Sequence, residues 1–271
     1  MKEIALGQYY PTKSVVHNMD ARAKILLVIA YIVAVFLVKP FQFWGFAVCF
    51  AFVLIATFFS KVPFVKMLKS FRAILFFVIF SAILQLFFNK QGTPLWEGGF
   101  ITDVGLLNAC FIVVRIMLIV FGASLLTFTT SPVEISDGIE SLLTPLKWIR
   151  FPVHEFALIM SIALRFIPTL IDETDRIIKA QKARGADFES GNVIKKVKAL
   201  IPVLIPLLIS SFRRADELAD AMDARCFAGS KVRTKYKKMR FTYRDLLGLI
   251  LTTALIVGVV VLNANLGAFV V

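Results

Sequence analysis

The sequence predicts an all-α polytopic membrane protein with about five transmembrane helices and long helices that extend into the cytoplasm. Three observations lead there. Hydrophobic residues make up 58% of the 271-residue chain, against roughly 45–50% in ordinary soluble domains. These residues gather in runs long enough to cross a bilayer, which takes about 20 residues of helix and ~17 at the least. The net charge of +13 is carried by segments that flank or separate those runs. That distribution fits the positive-inside pattern better than a nucleic-acid partner, and none is expected.

The N-terminal stretch "MKEIALGQYYPTKS" is polar, and the first apolar run begins only near Ile25, with no cleavage site behind it. It is read as no signal peptide, so the first span is expected to stay in the mature protein. Four candidate spans fill the first half, roughly 24–39, 41–59, 72–88 and 106–128. The first is short, but Lys24 and Lys39 can snorkel toward the two interfaces. A fifth, 246–264, follows a capping-box pattern in which Asp245 stands three residues after Thr242.

Loop charge sets the orientation. Residues 60–72 carry Lys61, Lys66, Lys69 and Arg72 with no acid and are expected in the cytoplasm. Residues 89–105, with Lys90, Glu97 and Asp103, are expected outside. Five crossings then put the N-terminus inside and the C-terminus outside.

Three regions follow: an N-terminal membrane domain over 1–130, a cytoplasmic domain with partly membrane-associated helices over 131–241, and the final span over 242–271. The middle region opens on "SPVE", where Ser131, Pro132 and Glu134 supply an N-cap, a first-turn proline and a capping-box acid. Two longer helices are expected from about Pro152 to Arg184 and from about Asn192 to Arg225, each roughly 50 Å long at 1.5 Å per residue. Their first halves are apolar, their second halves charged, and Pro168, Pro202 and Pro206 are expected to kink them. Residues 171–245 hold 17 Lys and Arg against 10 Asp and Glu, too much charge for lipid. The apolar halves, 153–168 and 199–211, fit either a marginal span or an amphipathic helix lying in the interface. The run "SKVRTKYKKMRFTYR" (230–244) has seven basic residues and no acid. It suits anionic lipid headgroups, at about 1 kcal/mol per charge near the surface.

Catalytic and metal sites find little support. Cys49, Cys110 and Cys226 show no metal or pairing spacing, and His17 and His154 are far apart. Arg115 lies inside "CFIVVRIMLIV". An ionisable group in a span is a functional candidate, and the alternative is an arginine bonded to helix carbonyls at a bundle interface. Asp172, Asp175, Asp216, Asp220 and Asp223 allow a second class of function, a magnesium-dependent intramembrane prenyltransferase. Yet residues 25–130 contain only Glu97 and Asp103 as acids, and the aspartates alternate with Arg176, Lys179, Lys182, Arg213 and Arg214. At spacings of three and four, such charges are neighbours on a solvated helix face. No G-x-x-x-x-G-K-[ST] occurs, so any ATP must be bound by another chain. No enzyme activity and no cofactor are expected.

One repetition stands out. With Asp175 aligned to Asp216, the segments "DETDRIIKAQKARGADF" (172–188) and "RADELADAMDARCFAG" (214–229) run in step. Ala180 meets Ala221, Ala183 meets Ala224, and Arg184 meets Arg225. An arginine at a helix C-terminus complements the dipole, and Gly185 can cap that end. Two copies ask for more. Small alanines leave each guanidinium clear, and its planar fork of five donors suits a groove lined with carboxylate or carbonyl oxygens. Two matching plugs suit two similar sockets, as on an ATPase dimer.

The stretch resembles the transmembrane (T) component of energy-coupling factor transporters, an ABC-type vitamin and metal uptake family. The matching elements are "TTSP" (129–132), "LTPL" (143–146), "ALRFIP" (163–168), "KARG" (182–185) and "MDARCFAG" (222–229). Cys226 stands where the first copy has Gly185, which removes the glycine cap. The resemblance implies a coupling subunit without enzymatic activity of its own. Ala183, Arg184, Gly185, Ala224, Arg225 and Cys226 would each help seat one of two cytosolic ATPases, with Arg115, Arg165 and Pro168 as structural or coupling residues. A small membrane-embedded S component would capture the substrate against residues near 153–168 and 199–211. Closure of the ATPase pair would drive the coupling helices together and reorient it. In this family the S component chooses the substrate, so neither its identity nor whether the complex is shared among S components resides in this chain. The rival within transport is a permease subunit of an ordinary ABC importer, which binds substrate along its own pathway and usually offers one coupling helix per chain.

Overall fold

The computed structural model describes residues 9–40, 42–88, 102–149, 152–188, 193–227 and 241–266, and every regular element among them is helical. The chain forms two compact units, 1–142 with 239–271, and 143–238. The basic run 230–244 lies outside the described residues up to its last four, as does most of the expected external loop 89–105.

The first unit contains α1 (Ala21–Leu37), α2 (Phe43–Ser60), α3 (Phe64–Phe88), α4 (Asp103–Thr129), α5 (Pro132–Leu143) and α8 (Tyr243–Leu266). Among the described residues, three helical stretches are long and apolar enough to cross a membrane: Phe43–Ser60, Asp103–Thr129 and Tyr243–Asn265. A fourth is reached if Phe64–Arg72 and Ile74–Phe88, bent by 60°, are taken as one span. At 17 residues, α1 sits at the lower length limit for crossing. Lys66, Lys69 and Arg72, expected in a loop, instead ride on the first part of α3, because only Lys61–Pro63 separate it from α2. Lys66 lies over the Tyr10 ring, 3.7 Å from its centre.

α3 lies along α4, while α8 packs on α1 and α2. The core joins Tyr31 and Val35 of α1, Cys49 and Val53 of α2, Leu118 and Phe121 of α4, and Leu255 and Val259 of α8. Lipid is as apolar as these side chains, so helix association rests on close packing and on hydrogen bonds between helices. Gly122 provides the first: a Cβ there would sit 2.5 Å from the Tyr31 ring. Tyr31 provides the second, its hydroxyl donating to Leu118 O at 3.4 Å.

Both ends of α1 are tied by distant side chains. A helix leaves its last carbonyls without intrahelical donors. Asn263 Nδ2 donates to Leu37 O and Arg115 Nη2 to Val38 O, each at 2.7 Å. Arg115 therefore acts here as a helix-end cap, bonded to a carbonyl. At the other end Asp20 is the N-cap, its Oδ1 accepting from Arg22 N–H at 3.0 Å. The Asp20 N–H donates to Asp245 Oδ1 at 2.8 Å, and the Thr242 N–H to Asp245 Oδ2 at 2.7 Å. Lys24 Nζ donates to His17 O and Thr129 O, both at 3.0 Å. Asp245 is wholly buried and Lys24 nearly so. One polar knot thus joins the starts of α1 and α8 to the end of α4.

The capping box read at Ser131 is present. The Glu134 N–H donates to Ser131 Oγ at 3.3 Å, and the Ser131 N–H returns to Glu134 Oε2 at 3.4 Å. Pro132 opens α5.

The second unit holds a 3-10 helix (Thr144–Ile149) and the two long helices, α6 (Val153–Ala183) and α7 (Val193–Ala224). Both long helices run unbroken through their prolines, Pro168 in α6 and Pro202 and Pro206 in α7.

Candidate functional site

The six residues of the two Ala-Arg motifs sit at the C-terminal ends of α6 and α7 and are all exposed. Neither Arg184 nor Arg225 has a side-chain partner among the described residues. Each guanidinium is therefore available to another molecule.

The two ends are closed by the same backbone bonds. At the first, the Gly185 N–H donates to Lys182 O at 3.0 Å and the Ala186 N–H to Gln181 O at 2.9 Å. At the second, the Cys226 N–H donates to Asp223 O at 2.9 Å and the Phe227 N–H to Met222 O at 3.1 Å. Both pairs make up the Schellman motif, which satisfies carbonyls the helix leaves open. Every bond recurs 41 residues later, the offset that aligns the sequences.

The motif requires a left-handed residue after the last helical one. Gly185 fills that place with φ +88°, and Cys226 fills it with φ +55°. The loss of glycine at the second copy therefore does not change how the helix ends. It changes the cost, since a residue with a Cβ is disfavoured there by roughly 1–2 kcal/mol. Cys226→Gly is expected to slow amide hydrogen exchange at Arg225 and Phe227, and Cys226→Val to speed it. Faster exchange in the glycine variant would contradict this account.

α6 and α7 pack against one another in antiparallel sense. Arg214 Nη2 of α7 donates to Glu173 Oε2 of α6 at 2.9 Å. Further along α6, Gln181 Nε2 donates to Pro202 O at 3.3 Å. The α7 number falls as the α6 number rises, so the two arginines point to opposite ends of the pair. From the ion pair, Arg184 and Arg225 are each 11 residues on, or about 17 Å at 1.5 Å per residue.

The apolar halves of these helices are open. Ile159 on α6, and Leu204, Ile205, Leu208, Ile209 and Phe212 on α7, are all exposed. The α7 residues recur at spacings of three and four, which makes one continuous stripe. Arg165 and Pro168 are exposed on α6, on a different stretch from the helix ends, and Arg115 belongs to the other unit. The two Ala-Arg motifs thus share one kind of helix end, and Arg165 and Pro168 lie elsewhere on α6. Glu173 and Arg214 had no signal of their own among the alternating charges. The 41-residue offset they share with the arginines could have singled them out.

The chain matches the model of the cobalt transport protein family (CbiQ) over residues 12–236, a span that includes both arginine-bearing ends. It is 50% identical over 249 residues to the energy-coupling factor transporter transmembrane protein EcfT of Ruminiclostridium cellulolyticum, covering 91% of this chain and 92% of that relative. Proteins of the same name from Listeria innocua and Bacillus subtilis are 44% and 41% identical, each with 98% of both chains covered.

Proposed function

Because the chain belongs to the family of energy-coupling factor transmembrane (T) components, the coupling subunits of these transporters, we propose that it couples two cytosolic ATPases to a membrane-embedded substrate-binding S component. Arg184 and Arg225 each seat one ATPase. The observation that carries this reading is the pair of identically closed helix ends, each bearing an exposed, unpartnered arginine. A two-fold partner needs two equivalent plugs, and a rigid Schellman end presents each guanidinium with little further ordering to be lost on binding. The open apolar stripe on α7 supports contact with the S component, which takes up a vitamin or another micronutrient. The chain contributes no nucleotide-binding loop, so hydrolysis belongs to its partners.

Purification of the tagged chain from its native membrane, with mass spectrometry of what accompanies it, tests the assignment. Two ABC ATPase subunits and a small hydrophobic protein are expected. An external binding protein in place of the small membrane subunit would favour an ordinary ABC permease and end this reading.

The loop charges further support a cytoplasmic N-terminus in the cell membrane. In a cysteine-free background, Asn265→Cys should react with an impermeant thiol reagent in intact cells, while Ser70→Cys and Ser230→Cys should react only after permeabilisation. Labelling of Ser230→Cys in intact cells would reverse the orientation.

A further inference from the structure

The 41-residue offset that relates the two helix ends also relates Glu173 to Arg214, and these two residues touch, at 2.9 Å. When two antiparallel helices are related by a two-fold rotation, residues at equivalent positions meet only where the axis passes between them. A contact between equivalent positions is what a two-fold relation of α6 and α7 would give at its axis. Eleven residues separate each partner from its arginine, close to three full turns. Arg184 thus lies near the helix face that carries Glu173, and Arg225 near the face that carries Arg214.

We propose that Glu173 and Arg214 are the pivot of the α6–α7 crossing, positioning residues that keep the two arginine ends at matched distances from one point. The proposal rests on the reading that those ends seat two ATPases. The chemistry suits a pivot. Interdigitated side-chain ridges hold helices to a few crossing angles, whereas one long arginine on one glutamate tolerates rotation about the contact. The pair is about 30% exposed on each side, at 32% and 28%, so it avoids the heavy desolvation of a fully buried ion pair. It biases the crossing by up to about fivefold in population, the upper range for such pairs. A charge pair with only a surface role would leave the geometry of the arms unchanged when removed.

The test uses the full chain in lipid nanodiscs, with Cys49→Ala, Cys110→Ala and Cys226→Gly as background. Spin labels are placed at the exposed positions Lys179 and Asp220, which share the 41-residue offset, and their separation is measured by pulsed electron resonance. Glu173→Gln and Arg214→Gln should each widen the distribution of separations. The same variants in the assembled transporter should keep both ATPases and lower uptake, by up to about fivefold. The exchanged pair, Glu173→Arg with Arg214→Glu, should restore a narrow distribution and most of the uptake. Single variants with the parental distribution, or an exchange that restores nothing, overturn the pivot. The seating reading is judged separately, by ATPase retention in the Arg184→Ala, Arg225→Ala chain. Retention there would remove that reading, and a pivot that met its own tests would remain a property of the helix pair.

Discussion

Replacing Arg184 and Arg225 together with alanine is expected to strip the chain of its ATPase subunits while leaving it folded in the membrane. Both side chains are exposed and without partners among the described residues, so their loss should cost the fold little, within about 0.5 kcal/mol. At an interface the account differs. Removing one member of a buried, hydrogen-bonded charge pair typically costs about 2–5 kcal/mol, or roughly 30-fold to several-thousand-fold in affinity. One alanine should weaken a single socket, and two should abolish co-purification and uptake. If the arginines served only the helix dipoles, each would contribute about 0.3–1 kcal/mol and the assembly would survive. Lysine keeps the charge but loses the planar fork, so partial recovery is expected. A double alanine variant that purifies with both ATPases and transports at the parental rate would refute the seating role.

The second large effect lies in the first unit. Asp245→Ala removes the acceptor of two N–H groups, those of Asp20 and Thr242, at a position with no solvent exposure. Hydrogen bonds to a charged group contribute about 1.5–3 kcal/mol each, so a loss of about 3 kcal/mol or more is expected. For a chain of this size that lowers the unfolding midpoint on the order of 10 °C. Cys49 is buried in the same unit while Cys110 and Cys226 are exposed, so with Cys110→Ala and Cys226→Gly as background a thiol-reactive fluorophore reports the transition in detergent. Asn at 245 keeps one carbonyl acceptor and should fall between alanine and the parent. An alanine variant that unfolds within about 2 °C of the parent would show that the knot carries no stability.

What the sequence disclosed was short-range. The Ser131–Glu134 box, the proline at the start of α5 and the extent of α6 and α7 each depend on residues within a turn or on a sustained pattern, and all are present. The doubled Ala-Arg signature was legible for the same reason. What escaped depends on distant parts of the chain. That Arg115 would bond a helix carbonyl was one of the two readings of that residue, but which carbonyl, Val38 O 77 residues away, was not legible. Asp245 could be read as a cap, but its bond to Asp20 spans 225 residues. Cys226 concealed a left-handed helix end because that conformation is signalled by glycine, and here the hydrogen bonds of the motif hold a cysteine in it. The antiparallel crossing of α6 and α7 depends on which faces meet, and alternating charges along both helices leave that choice open.

That crossing constrains more than direction. Gln181, near the end of α6, donates to Pro202 O on the first half of α7 at 3.3 Å, on the side of the ion pair where the end of α6 lies beside the earlier part of α7. Turning the two helices about the Glu173–Arg214 contact so that the arginines approach would carry Gln181 away from Pro202. That bond would then have to break first, which makes it a latch on the parted arrangement of the two arginines.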